Sequence, residues 1–352
     1  MMGAGHSGAD MDKIDIKSLT FEELKTQIEE MGQPAFRAGQ VFRWLHGKGM
    51  TDFSRLTDIP QPLREELAGR FKAVRLELEE RQSSRDGTEK FLFKLGDGRF
   101  IETVYIPSAK RGTVCVSTQV GCKFGCAFCA SGFGGFVRNL AASEIVSQVL
   151  FLRHDLGLHV SHVVFMGMGE PLDNFDATAR AVRILNSPRG AAVAARRITI
   201  STCGLVAGIE RLPSLGLQVE LSVSLHAAED GLRDRLVPAN RANPLAKLTT
   251  ALKEFSRATG RKVTLEYALI SGVNDSPEAA DRLAGLAGRL RAKVNLIPLS
   301  DAGVAGFKAS PPAAVDAFRQ RLEQKGAAVT IRRSKGGDIR AACGQLAGRR
   351  GA

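Results

Sequence analysis

From about residue 112 onward, short β-favouring runs alternate with helical patterns, and this succession limits the fold more than any other feature of the chain. Strands are predicted at Val114–Thr118, His162–Met166, Arg197–Ser201, Gln218–Leu225, Lys262–Leu269, Lys293–Pro298 and Ala328–Arg332. Helices are predicted between them, among others at Ser143–Leu156, Phe175–Leu185, Pro244–Thr259, Pro277–Leu290 and Pro311–Lys325. Strands joined through helices build a parallel sheet, either a barrel or an open doubly wound sheet. A parallel strand covered on both faces should be nearly all apolar. Here Val114 and Val116 alternate with Cys115 and Ser117, and Ile198 and Ile200 with Thr199 and Ser201. Leu221, Val223 and Leu225 alternate with Ser222, Ser224 and His226, and Val263 and Leu265 with Thr264 and Glu266. Buried polar groups need partners, so an inward-facing polar set predicts a polar ligand held in the middle of the sheet. A sheet with one wet face is the alternative. Ligand sites in such folds gather at the C-terminal strand ends.

Ahead of this region the pattern differs. Met1 to about residue 17 is expected to be a disordered tail, and residues 18–100 a small accessory region, helical first and then built of short strands. Thr20 and Glu23 form a capping box before the apolar stripe of Phe21, Leu24, Ile28 and Met31. The turn dipeptides Asp86-Gly87 and Asp97-Gly98 separate short strand-like runs. Residues 101–352 are expected to form the main α/β domain. No apolar run approaches the roughly 18–20 residues of a membrane helix, and no secretory signal is evident. A cytoplasmic protein with no membrane partner is expected.

The chain carries 49 Lys+Arg against 37 Asp+Glu, a net charge of +12. That excess suits a polyanionic partner, because neutralised phosphates release condensed counterions. Arg332, Arg333, Lys335 and Arg340 crowd one region, with Arg349 and Arg350 beyond. Arg37, Arg43 and Lys48 mingle with Phe36, Phe42 and Trp44, a mixture suited to phosphates and bases. A solvated surface is the plainer reading.

Three of the six cysteines, Cys122, Cys126 and Cys129, fall within eight residues directly after the first strand of the βα region. A disulfide framework does not fit that spacing. Three thiolates on a glycine-containing loop can wrap a cuboidal iron–sulfur cluster, which normally takes four protein sulfurs, and leave one iron open. Zinc with a distant fourth ligand, such as Cys203, is a second reading, and inert core thiols a third.

The motif CxxxCxxC with an aromatic before the last cysteine resembles the radical S-adenosylmethionine (SAM) signature. That resemblance implies a partial (β/α)6 TIM-like barrel, a [4Fe–4S] cluster on the three cysteines and SAM on the open iron. Five further stretches narrow it: RGTVCVSTQVGCKFGCAFC, FMGMGEPL (Phe165–Leu172), SLHA (Ser224–Ala227), VNLIP (Val294–Pro298) and DIRAACGQL (Asp338–Leu346). With MGQPAFRAGQVFRWLH near the start, they are similar to the RlmN family of dual-specificity RNA adenine-C2 methyltransferases. The resemblance runs from about Met31 to Leu346.

It implies that Cys343 carries the methyl group, taken from one SAM and activated by the radical from a second. Cys115 would release the product, leaving a transient Cys115–Cys343 disulfide, and Glu102 would accept a proton. Gly169, Glu170, Ser201, Ser224, Leu225, His226 and Asn295 would contact SAM. Ser201, Ser224 and His226 already stand in the inward-facing set, so pattern and resemblance agree there. The partners implied are 23S rRNA and tRNA and a reductant of the flavodoxin or ferredoxin type, with the protein a monomer. A sister branch methylates adenine C8 and usually has Ala after GMGE, whereas Pro171 stands here, which favours C2. A metal-stabilised RNA-binding module without catalysis is the alternative from another class. Cys203 is read as structural.

Overall fold

The computed structural model describes residues 13–299, 306–332 and 334–348, and the chain divides into two compact units. Arg333, Arg349 and Arg350 of the basic C-terminal cluster, like residues 1–12 of the expected tail, lie outside the described residues.

The first unit comprises the described part of Met1–Glu77 with Leu140–Val160 and Asp176–Ala194. The Thr20 hydroxyl accepts from the Glu23 amide and the Glu23 carboxylate accepts from the Thr20 amide, the predicted capping box, starting a helix at Phe21–Glu30 that buries Leu24 and Ile28. Further helices follow at Phe36–Phe42 and Gln61–Arg70, the latter with a proline in its first turn. The expected tail is too long by several residues. Ile14–Asp15 (β1) pairs in parallel with Phe71–Lys72 (β2), Ile16 is fully buried, and the Lys17 ammonium donates to Ser147 Oγ at 2.7 Å. Ile14 is exposed, so the segment is held down by Ile16, the β1–β2 pairing and the Lys17 bond.

The second unit contains a ten-stranded sheet. Its strands are Glu77–Ser83 (β3), Glu89–Lys94 (β4), Phe100–Ser108 (β5) and Arg111–Cys115 (β6), then His162–Phe165 (β9), Ile198–Thr202 (β10), Glu220–Ser224 (β11), Thr264–Leu269 (β12), Lys293–Pro298 (β13) and Ala328–Ile331 (β14). Gln119–Gly121 (β7) and Phe136–Asn139 (β8) form a separate antiparallel pair. The spatial order is β14-β13-β12-β11-β10-β9-β6-β5-β4-β3, with β6 and β9 to β14 parallel and β5 antiparallel to both its neighbours, β4 and β6. The expected α/β succession with a β extension is present, as an open mixed sheet with helices. The domain boundary expected at residue 100 is displaced. β3 and β4 lie on the main sheet rather than in the accessory region, because β5 offers β4 a full antiparallel ladder from Glu89↔Tyr105 to Lys94↔Phe100.

Register stacks the polar residues of neighbouring strands side by side. Ser224 lies beside Glu266 and Glu266 beside Asn295, while Ser201 lies beside Ser222. The apolar alternates, Ile198, Ile200, Leu221, Val223 and Leu265, are buried.

Candidate active site

The three-cysteine loop is bracketed by the β7–β8 pair, which sequence periodicity did not reveal. Gly121 has φ +73°, and a Cβ there would overlap the Gly135 carbonyl, so only glycine lets the two strands close. The Cys122 amide donates to Gly135 O at 3.1 Å, the Cys129 amide to Cys126 O at 3.0 Å, and the Ala127 amide to Leu236 O at 3.0 Å. Burial pushes the Cys122 thiol up to about 11 and raises those of Cys126 and Cys129 too. Binding of a metal here would therefore release protons. Among the described residues no three His, Cys, Asp or Glu side chains converge as ligands of a single ion. The donor set, three thiols on one short loop, fits the irons of a cluster, each thiol serving a different metal.

The loop forms one wall of an open cavity, about 1030 Å³ with its solvent-filled mouth included. Cys122, Cys126, Cys129, Gly169, Glu170, Ser201, Ser224, His226 and Cys343 all line it. Of the inward-facing polar set, Ser201, Ser224, His226 and Glu266 surround this cavity at the strand ends, whereas Cys115, Ser117, Thr199, Ser222 and Thr264 do not line it. Gly169 has φ +95°, and a Cβ would stand 2.5 Å from that of Gln119. Glu170 is buried; its carboxylate accepts from the Leu172 amide at 3.0 Å and the Cys203 amide at 2.8 Å, yet desolvation still raises its pKa. His226 adopts φ +56°, accepts at Nδ1 from the Ala268 amide at 2.9 Å and meets the Phe128 ring edge-on at 4.6 Å. Burial lowers its pKa to about 3, so the ring is neutral near pH 7 with its proton on Nε2.

Two implicated residues stand behind the cavity wall. The Leu225 side chain is buried and its amide donates to Glu266 O at 3.0 Å. Asn295 Nδ2 donates to Glu266 Oε1 at 3.1 Å, and Ser222 Oγ donates to the same oxygen at 3.2 Å. Glu266 itself lines the cavity; its alternation marked it as inward-facing, but sequence reasoning gave it no role.

Cys343 lies on a segment docked against the cysteine loop. The Ala130 amide donates to Gly344 O and Ser131 Oγ to Leu346 O, both at 2.7 Å. Glu102 secures the far end of this segment, its Oε2 accepting from the Ala347 and Gly348 amides at 2.6 and 2.8 Å, while Oε1 pairs with the buried Lys90 ammonium at 2.9 Å. Glu102 is therefore buried on the sheet rather than at its surface, and it does not line the cavity. Cys115 is also off the cavity, packed with Val104, Met168, Ala341 and Leu346, and burial pushes its thiol up to about 12. All six cysteines are free thiols.

The basic clusters resolve unevenly. Arg332 lines the cavity, 3.4 Å from Met166 Sδ, instead of joining a surface patch. Phe42 is fully buried against His46 and Phe21, so it offers no ring to a base. Phe36 is exposed with Arg37 over its ring at 4.8 Å, and Lys48 lies 3.5 Å over Trp44. Among the described residues no helix is long and apolar enough to cross a membrane.

Two family models match the chain, the radical SAM superfamily over residues 116–284 and the ribosomal RNA large subunit methyltransferase N-terminal domain over residues 14–72. A protein of Symbiobacterium thermophilum described as a probable dual-specificity RNA methyltransferase RlmN is 45% identical over 345 residues, covering 97% of this chain and 93% of its own length. One of Pelotomaculum thermopropionicum with the same description is 47% identical over 337 residues, covering 95% and 92%. Among solved structures, a radical SAM methyltransferase from Sphaerobacter thermophilus superposes with a TM-score of 0.89 at 44% identity, over 96% of this chain and 100% of that one.

Proposed function

The chain belongs to the RlmN family of radical SAM RNA methyltransferases, and from that membership we propose that it methylates C2 of an adenine in 23S rRNA, at the peptidyl-transferase centre, and in tRNA beside the anticodon, through a methyl-cysteine and with two SAM consumed. The observation that carries this reading is the docking of the Cys343 segment on the cysteine loop, through Ala130 and Ser131, with Cys343 on the wall of the same cavity as Cys122, Cys126 and Cys129.

Cys122, Cys126 and Cys129 would hold the [4Fe–4S] cluster. With SAM bound, the cluster supplies one-electron reductive cleavage to a 5′-deoxyadenosyl radical. Gly169 gives close backbone approach, and Ser201, Ser224 and the Nε2–H of His226 offer polar contacts to the cofactor. Leu225 and Asn295 support that wall from behind, through Glu266. Cys343, exposed on the cavity wall, is accessible as methyl acceptor. Cys115, beside Ala341 and Leu346 of the carrier segment, would attack the protein–RNA link and close the transient disulfide with Cys343. Glu102 would serve as proton acceptor only by exchanging its bonds to Ala347 and Gly348 for one to the substrate. The exposed Phe36–Arg37 and Trp44–Lys48 pairs offer aromatic and cationic contacts to RNA. A flavodoxin- or ferredoxin-type protein would supply the electron, and the enzyme would work as a cytoplasmic monomer.

The test is anaerobic incubation of reconstituted protein with SAM, a reductant and either RNA, followed by nucleoside mass spectrometry. The expected products are 2-methyladenosine and 5′-deoxyadenosine. Cys343→Ala should yield no methylated base, and its intact mass should lack the methyl found on the wild-type chain. 8-Methyladenosine would assign the chain to the sister reaction. Absence of 5′-deoxyadenosine from cluster-loaded protein would reduce it to an RNA-binding module.

A further inference from the structure

Arg233 heads the largest fully buried side chains among the described residues, and sequence reasoning passed it over. Its guanidinium makes four hydrogen bonds, none of them to a carboxylate. Nε donates to Leu225 O at 3.1 Å, Nη2 to Cys203 O at 2.6 Å and to Ser224 O at 3.2 Å, and Nη1 to Asn240 Oδ1 at 2.7 Å. Asn240 turns its own amide hydrogens to Asp230 and Asp234, at 2.9 and 2.7 Å. Asp230 and Asp234 thus bond Asn240 and not the guanidinium, on which they act across that amide. Arginine keeps its charge in protein interiors, and a buried charge without an ionic partner in contact is costly. Such a group needs negative charge close by.

The cysteine loop lies on the same helix, Asp230–Leu236. Leu236 O accepts from the Ala127 amide at 3.0 Å, between the second and third cysteines. Cys126 and Phe128 pack on the cluster of Cys203, Ala227, Leu232 and Leu236. Cys203, whose carbonyl takes Arg233 Nη2, belongs to the group on which Cys126 packs. Three thiolates around a 2+ iron–sulfur core carry net charge −1, and uptake of one electron from a reductant makes it −2. A nearby buried cation favours the more negative state, and low dielectric magnifies the effect.

We propose that Arg233 is the buried counter-charge of the cysteine-loop cluster, and that its planar fork is the positioning element for the backbone at Cys203, Ser224 and Leu225, where the polar wall of the cavity begins. The proposal rests on the cluster reading above. Charge and fork can be separated. Arg233→Lys keeps the cation but cannot reach four oxygens in one plane, whereas Arg233→Met loses both.

The full chain, reconstituted anaerobically, is titrated with dithionite while the reduced-cluster EPR signal is followed, with and without SAM. Arg233→Met should shift the one-electron equilibrium at least tenfold toward the oxidised cluster, which is 59 mV for a one-electron couple. Arg233→Lys should stay within about threefold of wild type in that equilibrium, yet bind SAM at least tenfold more weakly by the SAM-induced change in the EPR signal. Asp234→Asn, which keeps an oxygen for Asn240 and removes one acid, should move the equilibrium the other way, about twofold. Loaded and folded Arg233→Met at the wild-type potential overturns the proposal. Where that variant does not fold, an Asp234→Asn protein with unmoved potential overturns it instead. A wild-type chain that takes up no iron overturns the reading of function as well; a loaded wild type whose potential ignores Arg233 and Asp234 overturns this proposal alone.

Discussion

Lys90 and Arg233 are both buried cations on the sheet-containing unit, and their surroundings differ in kind. Lys90 meets a carboxylate directly, and that carboxylate, Glu102, in turn holds two amides of the Cys343 segment. Arg233 meets only carbonyl and amide oxygens, at the C-terminal ends of β10 and β11. The first arrangement neutralises its charge on the spot and fastens a segment of chain. The second ties three backbone carbonyls together and leaves its charge to act at a distance. Two buried cations can thus share a fold while one is scaffolding and the other sets a field.

The largest effect expected from this contrast is at Arg233. Arg233→Met takes a donor from the buried acceptors Cys203 O, Ser224 O and Asn240 Oδ1, while Leu225 O keeps the Ala227 amide at 2.8 Å; at about 1–3 kcal/mol each, more than about 3 kcal/mol of stability should go, by urea unfolding. Adding Asn240→Leu should restore little of it, because the remaining acceptors belong to the main chain. Glu102→Ala comes next, removing the carboxylate that the buried Lys90 ammonium meets at 2.9 Å. A loss of about 3–5 kcal/mol is expected, together with faster amide exchange at Ala347 and Gly348. The double variant Lys90→Met, Glu102→Leu should recover most of that stability, since a buried pair is often replaceable by apolar side chains. It should not recover protection of the Ala347 and Gly348 amides or methyl loading of Cys343. Full rescue of both would erase the distinction between the sites.

The smallest effect is a response to acid confined to the carrier side. Asp86 accepts from the Gly336 amide at 3.1 Å, and Asp338 from Ser84 Oγ at 2.6 Å and the Arg85 amide at 3.2 Å. Desolvation raises the Asp86 pKa, but bonds from Thr88, Gly336 and Ser84 outweigh it and hold the carboxyl at about 2. The folded pKa lies below the unfolded value near 3.8, so the unfolded state binds more protons between the two. The stabilisation is complete above about pH 4 and is lost as the pH falls through about 2. Amide exchange at Gly336, corrected for intrinsic rate, should therefore speed up between pH 4 and pH 2. The direct partners of Arg233 do not titrate, and exchange at Val237, whose amide bonds Arg233 O, should hold over the same range.

How much of this was legible follows from what each residue does locally. Pro277–Leu290 is a helix with the predicted bounds, because Ser276 caps it and the proline starts it. The alternation in β10, β11 and β12 pointed to a lined cavity, because side-chain period 2 is a property of the backbone itself. Tertiary contacts decided the rest. Glu102 on an isolated strand reads as a surface acid, and only the pairing of β4 with β5 brings Lys90 to it. Arg233 sits in a short helix whose charged residues suggest exposure, and nothing local says that one of them turns inward. The β7–β8 pair hangs on the left-handed backbone at Gly121 and the approach of Gly135, over strands too short to show periodicity.

The docking of Ala130 and Ser131 on Gly344 and Leu346 also has a temporal side. Residue 129 leaves the ribosome some two hundred positions ahead of residue 343, which at about 5–20 residues per second is on the order of ten to forty seconds. Throughout that interval the nascent thiols have no carrier segment over them, so the cluster proposed for them would have open access to the growing chain before its own sequence closes the door.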